Sequence, residues 1–191
     1  MDVLTAIAAR RSIRAFRPIP VPDEALQTIL ITATQAPSGK NRQPWRFVVV
    51  REDHRAEMVR ILRAGIEEAK AHGIDPGSSE GTAAIMEQAP LTVFVFNPEG
   101  IGLEESRSVH QVLRDAVDVQ SVGAAIQNML LAALALGLGS LWICDVYYAY
   151  EGLQRWLDEP GQLVAAVSFG YPDESPAARP RLPVSRVSRT R

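Results

Sequence analysis

The chain has 191 residues, 47% of them hydrophobic and 22% charged, with a formal net charge of −2 and one cysteine. That length fits one domain, residues 1–191, with ample core-forming material. The slightly acidic balance argues against a protein built mainly to hold nucleic acid, and the lone Cys144 excludes an internal disulfide and fits a reducing cytoplasm. The opening MDVLTAIAARR carries its charge after its apolar part, the reverse of a secretory leader. No segment reads as long enough to cross a bilayer, because the unbroken apolar run Met129 to Leu136 is far below about 20 residues.

Asp2 is placed to cap a short helix with Val3, Leu4, Ile7 and Ala8 inward. It runs into Arg10-Arg11-Ser12-Ile13-Arg14-Ala15-Phe16-Arg17, four arginines interleaved with apolar residues. This is an anion-binding composition with Ile13 inside and the arginines at the rim. A solvated basic surface and a nucleic-acid contact are the other readings of the same residues, the last disfavoured by the acidic whole. Pro18, Pro20 and Pro22 fix an extended connector. Asp23 then caps a helix with Leu26, Ile29, Leu30 and Ala33 inward, ending near Gln35.

The next ten residues, Ala36-Pro-Ser-Gly-Lys-Asn-Arg-Gln-Pro-Trp45, form a polar loop punctuated by Gly and Pro. Their hydroxyl and amide groups suit recognition of a heteroaromatic edge, although a plain long turn has the same composition. A strand at 46–50 and a helix from Asp53 to about Ala71 follow. His72 to Ser79 is a breaker-rich loop, and 80–88 a weak helix; this stretch has the character of either a lid or an ordinary surface segment. The apolar strand Leu91 to Phe96 belongs in a sheet covered on both faces, and 97–106 reads as loop.

Val109 to Gly139 is the segment around which the rest is organised. Val112, Ala116, Val119, Val122, Ile126, Met129, Ala133 and Leu136 recur at helical spacing, and from Val122 onward the other faces turn apolar or small too. The reading is a buried central helix on which helices, a sheet and a second subunit pack, stopped by Gly137 and Gly139. Strand 140–144, an aromatic turn at 145–150, a short helix at 151–157 and strand 162–169 complete an α+β sandwich with a four- or five-stranded sheet. The tail, rich in Pro and Arg, reads as an extended arm that docks through Arg179-Pro-Arg181.

Much chemistry is excluded. His54, His72 and His110 lie in unrelated polar contexts without zinc-ligand spacing. No nucleophile elbow or Cys/His pair is present, and Cys144 reads as an inert core thiol. Gly137-Leu-Gly139 is half of a dinucleotide fingerprint at the wrong end of a helix. Two arginine clusters at opposite ends of the chain and one polar loop remain, a set suited to a phosphorylated organic ligand.

On those residues the chain resembles the nitroreductase family of FMN-dependent oxidoreductases. The likeness runs through Arg-Arg-Ser-Ile-Arg-Ala-Phe, Ala-Pro-Ser-Gly-Lys-Asn-Arg-Gln-Pro-Trp-Arg-Phe, Gln-Asn-Met-Leu-Leu-Ala-Ala with Gly-Leu-Gly-Ser-Leu-Trp-Ile, and Arg-Pro-Arg-Leu-Pro, in family order. It implies an α+β nitroreductase-like fold: a central, mainly antiparallel four- to five-stranded sheet flanked by helices, a long buried helix and an extended arm at 171–191. It further implies a homodimer with FMN at the interface. Arg10, Ser12 and Arg14, with Arg11 beside them, would hold the phosphate and ribityl chain, joined by Arg179 and Arg181. Pro37, Ser38 and Asn41 of the other subunit would line the isoalloxazine, and the backbone of Ile143, Cys144 and Asp145 would face its N5 and O4 region. The implied activity is ping-pong hydride transfer from NAD(P)H through FMN to a nitroaromatic, quinone or similar small-molecule acceptor, without nucleic acid or membrane as partner. Other members of the fold, namely dehalogenases, flavin-fragmenting enzymes and heterocycle dehydrogenases, leave those specialised activities open, as is a non-catalytic flavin-binding role. Gly39 stands where a second serine is common, and Cys144-Asp145 where Glu-Gly or Gly-Gly is frequent.

Overall fold

The computed structural model describes residues 2–102 and 105–191; residues 103 and 104, within the expected loop, lie outside it. Four strands form one sheet, β1 (Arg46–Val50), β2 (Leu91–Asn97), β3 (Gly139–Ile143) and β4 (Gln162–Gly170), in the order β1-β2-β4-β3, every pair antiparallel. The expected α+β sandwich has the smaller of its two strand counts. The central strands β2 and β4 are buried along their whole length. Alternation divides β2 between two cores: Leu91, Val93 and Val95 face one layer, Phe94 and Phe96 the other.

The first layer is α2 (Asp23–Thr34) and α5 (Val109–Ala135); the second is α3 (Glu52–Ala71), α4 (Ser79–Gln88) and α6 (Tyr150–Leu157). The stripe expected on α2 points inward, with Leu26, Ile29 and Ala33 buried, and on α3 Met58, Leu62 and Ile66 are buried against the other face of the sheet. Asp23 does not cap α2: Pro22 holds the cap position without a side-chain bond, and the Asp23 carboxylate reaches Arg51 instead.

Helix α5 starts with a reciprocal Ser108–Gln111 capping box. It ends as expected at Gly137, whose φ of +75° completes a Schellman closure, Leu138 N–H bonding the Ala133 carbonyl at 2.8 Å. From Val122 to Ala133 it is the centre of the first core, although Ala124, Leu131, Ala132 and Leu134 keep partial exposure and Leu136 is exposed. The N-terminal half departs further from expectation. Val112 and Ala116 are exposed, and the buried positions there are Asp115 and Asp118, whose carboxylates meet arginines from the preceding loop and from the 37–45 loop. With 27 residues and an 18-residue window of mean hydropathy 1.2, this one helix among the described residues does reach the length and composition of a membrane span, contrary to the reading from its unbroken run. Its apolar C-terminal half is occupied by the sheet and α2.

The short helix α1 (Val3–Ala9) is capped by Asp2, which accepts from Leu4 and Thr5 N–H. Its expected inward face is not covered within the chain: Val3, Leu4, Ala8 and Ile7 are exposed and Ala6 alone is buried. Together with Val109, Val112, Leu113 (62% exposed) and Val117 on α5, and Leu182, Val184 and Val187 on the arm, they form an unusually apolar exterior. The arm is extended apart from one turn, α7 (Val184–Val187).

Candidate functional site

The two arginine-rich ends of the chain meet, and the backbone explains how. Residues 10–17 run extended along the free edge of β3: Ser12 bridges Ser140, and Ile13 N–H bonds the Ser140 carbonyl at 3.0 Å. Gly139 allows this approach, since a Cβ there would lie 2.9 Å from three Ile13 side-chain atoms. The chain leaving β4 then pairs antiparallel with the same segment. Phe16 bridges Pro172, Arg17 N–H bonds the Tyr171 carbonyl at 2.9 Å, Asp173 N–H bonds the Ala15 carbonyl at 2.9 Å, and Arg14 N–H donates to the Glu174 carboxylate. These bonds carry the arm back over the N-terminal arginines.

A cavity of about 430 Å³ results, lined by Arg10, Arg11, Ser12, Arg14, Arg179 and Arg181. Among the described residues none of its five guanidinium groups forms an ion pair; Arg11, Arg14 and Arg181 touch only nearby backbone carbonyls. Burial, followed by the neighbouring charges of Arg181 and then Arg11, depresses the basicity of the Arg10 guanidinium. Arginine still stays protonated, so the cavity is a concentration of like charge that an anion would relieve.

The other sequence-predicted residues do not line this cavity. Pro37 and Asn41 are exposed, and Ser38 accepts a bond from Gln43 N–H at 3.0 Å. Ile143 is a core residue of the second layer. Cys144 is not in the core: it lies just beyond the end of β3 and is exposed, and partial burial together with Asp145 pushes its thiol above the ordinary range, away from nucleophilic use. Asp145 accepts from the buried Thr82 hydroxyl on α4, which ties the turn after β3 to that helix. The three histidines are exposed.

Several residues were not legible beforehand. Arg42, Asp118 and Ser121 fasten the polar loop to α5, and Thr82 and Glu174 position site segments. A groove of about 620 Å³ between α3 and the 147–152 turn is roomier than the arginine cavity, but its guanidinium groups are already paired, Arg60 with Glu57 and Arg155 with Glu151.

The α+β sandwich thus brings arginines from both chain ends, unpaired among the described residues, to one cavity whose charge suits an anion. Comparison with known proteins takes the identification further. The nitroreductase family model matches residues 7–171. A Methanothermobacter thermautotrophicus protein described as an NADH dehydrogenase/NAD(P)H nitroreductase is 31% identical, the match covering 98% of this chain and 86% of that one. A 5,6-dimethylbenzimidazole synthase of Rhodospirillum rubrum is 30% identical over 86% of this chain and 79% of its own length. The crystal structure of a Desulfovibrio desulfuricans protein named as a nitroreductase, in complex with FMN, superposes with a TM-score of 0.76 at 31% identity, covering 100% of this chain and 97% of that one. The chain belongs to the nitroreductase family, and it is an FMN-dependent oxidoreductase that uses NAD(P)H.

Proposed function

We propose that the protein is a homodimeric reductase in which the arginine cavity holds the FMN phosphate and the electron acceptor is a nitroaromatic, a quinone or a related conjugated electrophile. The observation that carries this reading is the convergence of Arg10, Arg11, Arg14, Arg179 and Arg181, without carboxylate partners among the described residues, on one cavity. A phosphate dianion with charge-assisted, bidentate contacts is the group such a cluster suits. Ser140 sits beside Ser12, and Ile143 ends β3 three residues further on, about 10 Å at 3.3 Å per residue, with Cys144 and Asp145 in the turn that follows. That span suits a ribityl chain leading from the phosphate to a ring system whose edge meets the backbone of Ile143, Cys144 and Asp145.

Pro37, Ser38 and Asn41 lie outside the cavity of their own protomer, and they serve the site of a partner. The exposed apolar residues of α1, of the first half of α5 and of the arm supply the dimer face, and the 37–45 loop is fastened to that half of α5. When bound, FMN supplies reversible hydride chemistry, taking hydride from NAD(P)H and giving it to the acceptor. The protein's share is binding, orientation and charge. Initial rates form parallel lines if both substrates use one face in turn. The single unpaired cysteine fits a reducing, cytoplasmic setting.

The Rhodospirillum rubrum relative favours a second reading, a flavin-fragmenting enzyme. Purified protein tests both. Yellow dimer that releases FMN on heating, bleaches at once with anaerobic NADH or NADPH and turns over menadione or nitrofurazone supports the reductase. Fast bleaching by a chemical reductant, with slow NAD(P)H turnover and loss of flavin in air, supports the second. Colourless monomer that ignores added FMN rejects both.

A further inference from the structure

The 37–45 loop has an unusual backbone. Lys40, Asn41 and Gln43 take φ values of 55°, 56° and 52°, so three of four consecutive residues are left-handed and none is glycine. Asparagine tolerates that region, whereas lysine and glutamine are strained in it and stay there only where surrounding contacts over-determine the shape. Both ends of the segment are anchored, since Ala36 and Pro44 are buried. Between them the described contacts to the body of the protein are two. Gly39 N–H donates to Ser121 Oγ at 3.3 Å, and Arg42 donates from Nε and Nη2 to Asp118 Oδ1 at 3.1 and 2.6 Å.

The Asp118 side chain is 1% exposed; that of Arg42 is 30% exposed. A carboxylate so buried is costly to hold without a cation, and its other oxygen finds Arg114 only at 3.9 Å. Asp118 is not needed to hold α5, which the apolar run from Val122 to Ala133 fixes in the core. What the pair adds lies on the loop side. The loop also presses close to the helix: a Cβ on Gly39 would meet Val117 Cγ1 at 2.5 Å. Val117 thus occupies the room that a side chain at 39 would need, and Ser121 brings the hydroxyl from the helix instead.

We propose that Asp118 is a positioning residue for the flavin: with Arg42 it clamps the strained 37–45 loop onto α5, so that Pro37, Ser38 and Asn41 stand preset for the partner subunit's FMN. The proposal rests on the FMN reading given above for its function, but not for the clamp itself. Preset geometry lets a loop meet a ligand without an ordering cost at binding.

The test uses apoprotein and holoprotein of Asp118→Leu, Asp118→Asn and Arg42→Met. Lys40 is exposed but held in a fixed turn, so trypsin is expected to cut after it faster once the loop leaves α5, and the apoprotein reports the clamp with no cofactor present. Asp118→Leu is expected to speed that cut about tenfold and to weaken FMN binding, read by quenching of flavin fluorescence, by about tenfold. Circular dichroism and dimer elution stay as in wild type, and Asp118→Asn falls between. If the leucine variant does not fold, Arg42→Met breaks the same contact from its solvent side and is expected to match it. A folded variant with a lower melting midpoint but unchanged cleavage after Lys40 and unchanged FMN affinity overturns the proposal, leaving the pair purely structural. If wild-type protein fails to bind FMN, the functional reading falls while the cleavage rates still judge the clamp.

Discussion

Two groups of arginines in the molecule are neutralised in opposite ways. Arg10, Arg11, Arg14, Arg179 and Arg181 surround a cavity without carboxylate partners among the described residues. Arg42, Arg107 and Arg114 each meet a carboxylate of the first half of α5, Asp118 or Asp115. In composition the two groups are alike. They differ in what neutralises them: the chain supplies its own anions to one and leaves the other to a ligand. Burial first, and then the neighbouring charges of Arg181 and Arg11, lower the basicity of Arg10; such an unpaired group is unfavourable until an anion offsets it.

The largest expected effect therefore separates the groups. Arg10→Ala or Arg181→Ala is expected to lose about 1.5–3 kcal/mol of FMN affinity, some ten- to hundredfold, as removal of a charge-assisted bond does. The loss should shrink as salt rises, because part of the site is open to solvent. Arg114→Ala removes an exposed pair with Glu99 and only a 3.9 Å contact to Asp118, whose bonds from Arg42 remain, and should leave FMN affinity close to where it was. Fluorescence titration of the apoproteins decides; equal affinities across all three variants would erase the distinction.

A second measurement asks what brings the unpaired group together. Gly139→Ala puts a methyl group 2.9 Å from three Ile13 atoms, two of them branches of a stiff side chain. The 10–17 segment then has to move off the edge of β3. Overpacking of this kind costs about 1–3 kcal/mol, measurable by urea unfolding. FMN affinity should fall with it, since Ser12 and the arginines travel on that backbone. Lost stability with intact affinity would mean that the arm, not the edge pairing, sets the cluster.

Sequence made one group of arginines legible and hid the other. Arg10 to Arg14 and Arg179 to Arg181 stand in compact runs among prolines and small residues, where a cluster can be read locally. Their meeting on one cavity is a long-range fact, reached only through the resemblance. Arg42 and Asp118 are 76 positions apart, and nothing in their own neighbourhoods marks a pair. Helical periodicity misled here, assigning Val112 and Ala116 inward where Asp115 and Asp118 are buried instead. Periodicity reads apolar pattern, and it fails where a helix has two apolar-contact faces, one left uncovered by its own chain. The same cause misassigned α1, whose apolar stripe of Val3, Leu4 and Ile7 is left uncovered among the described residues. Strand positions fared best: β1 and β2 were found almost to the residue, because continuous β-branched and aromatic runs between turn residues have few other uses. Cys144 was misplaced by one residue of strand end, enough to move it from core to surface.

Smaller effects sharpen the contrast between ties that hold a site and ties that merely decorate a surface. Thr82→Val removes the hydroxyl that the Asp145 carboxylate accepts from and keeps the shape of a buried side chain. The expected cost is about 1 kcal/mol in global stability, with a change in the visible flavin spectrum because the turn after β3 loosens. Arg60→Ala removes an equally well-formed pair, Arg60 Nη2 to Glu57 at 2.6 Å, on the exposed face of α3. Its hydrogen bond from Arg60 holds the Glu57 carboxyl below its usual range and raises Arg60. By linkage any stability from that carboxylate is present above its unfolded-state value and lost as pH falls through the lowered one. Both side chains are largely open to water, however, where the partner's attraction is screened and ordering two long side chains offsets what is left. Neither the melting midpoint nor its acid limb should move. The same bond length thus carries opposite expectations at Arg42 and at Arg60, and a measurable acid shift in Arg60→Ala would show that burial is not what separates them.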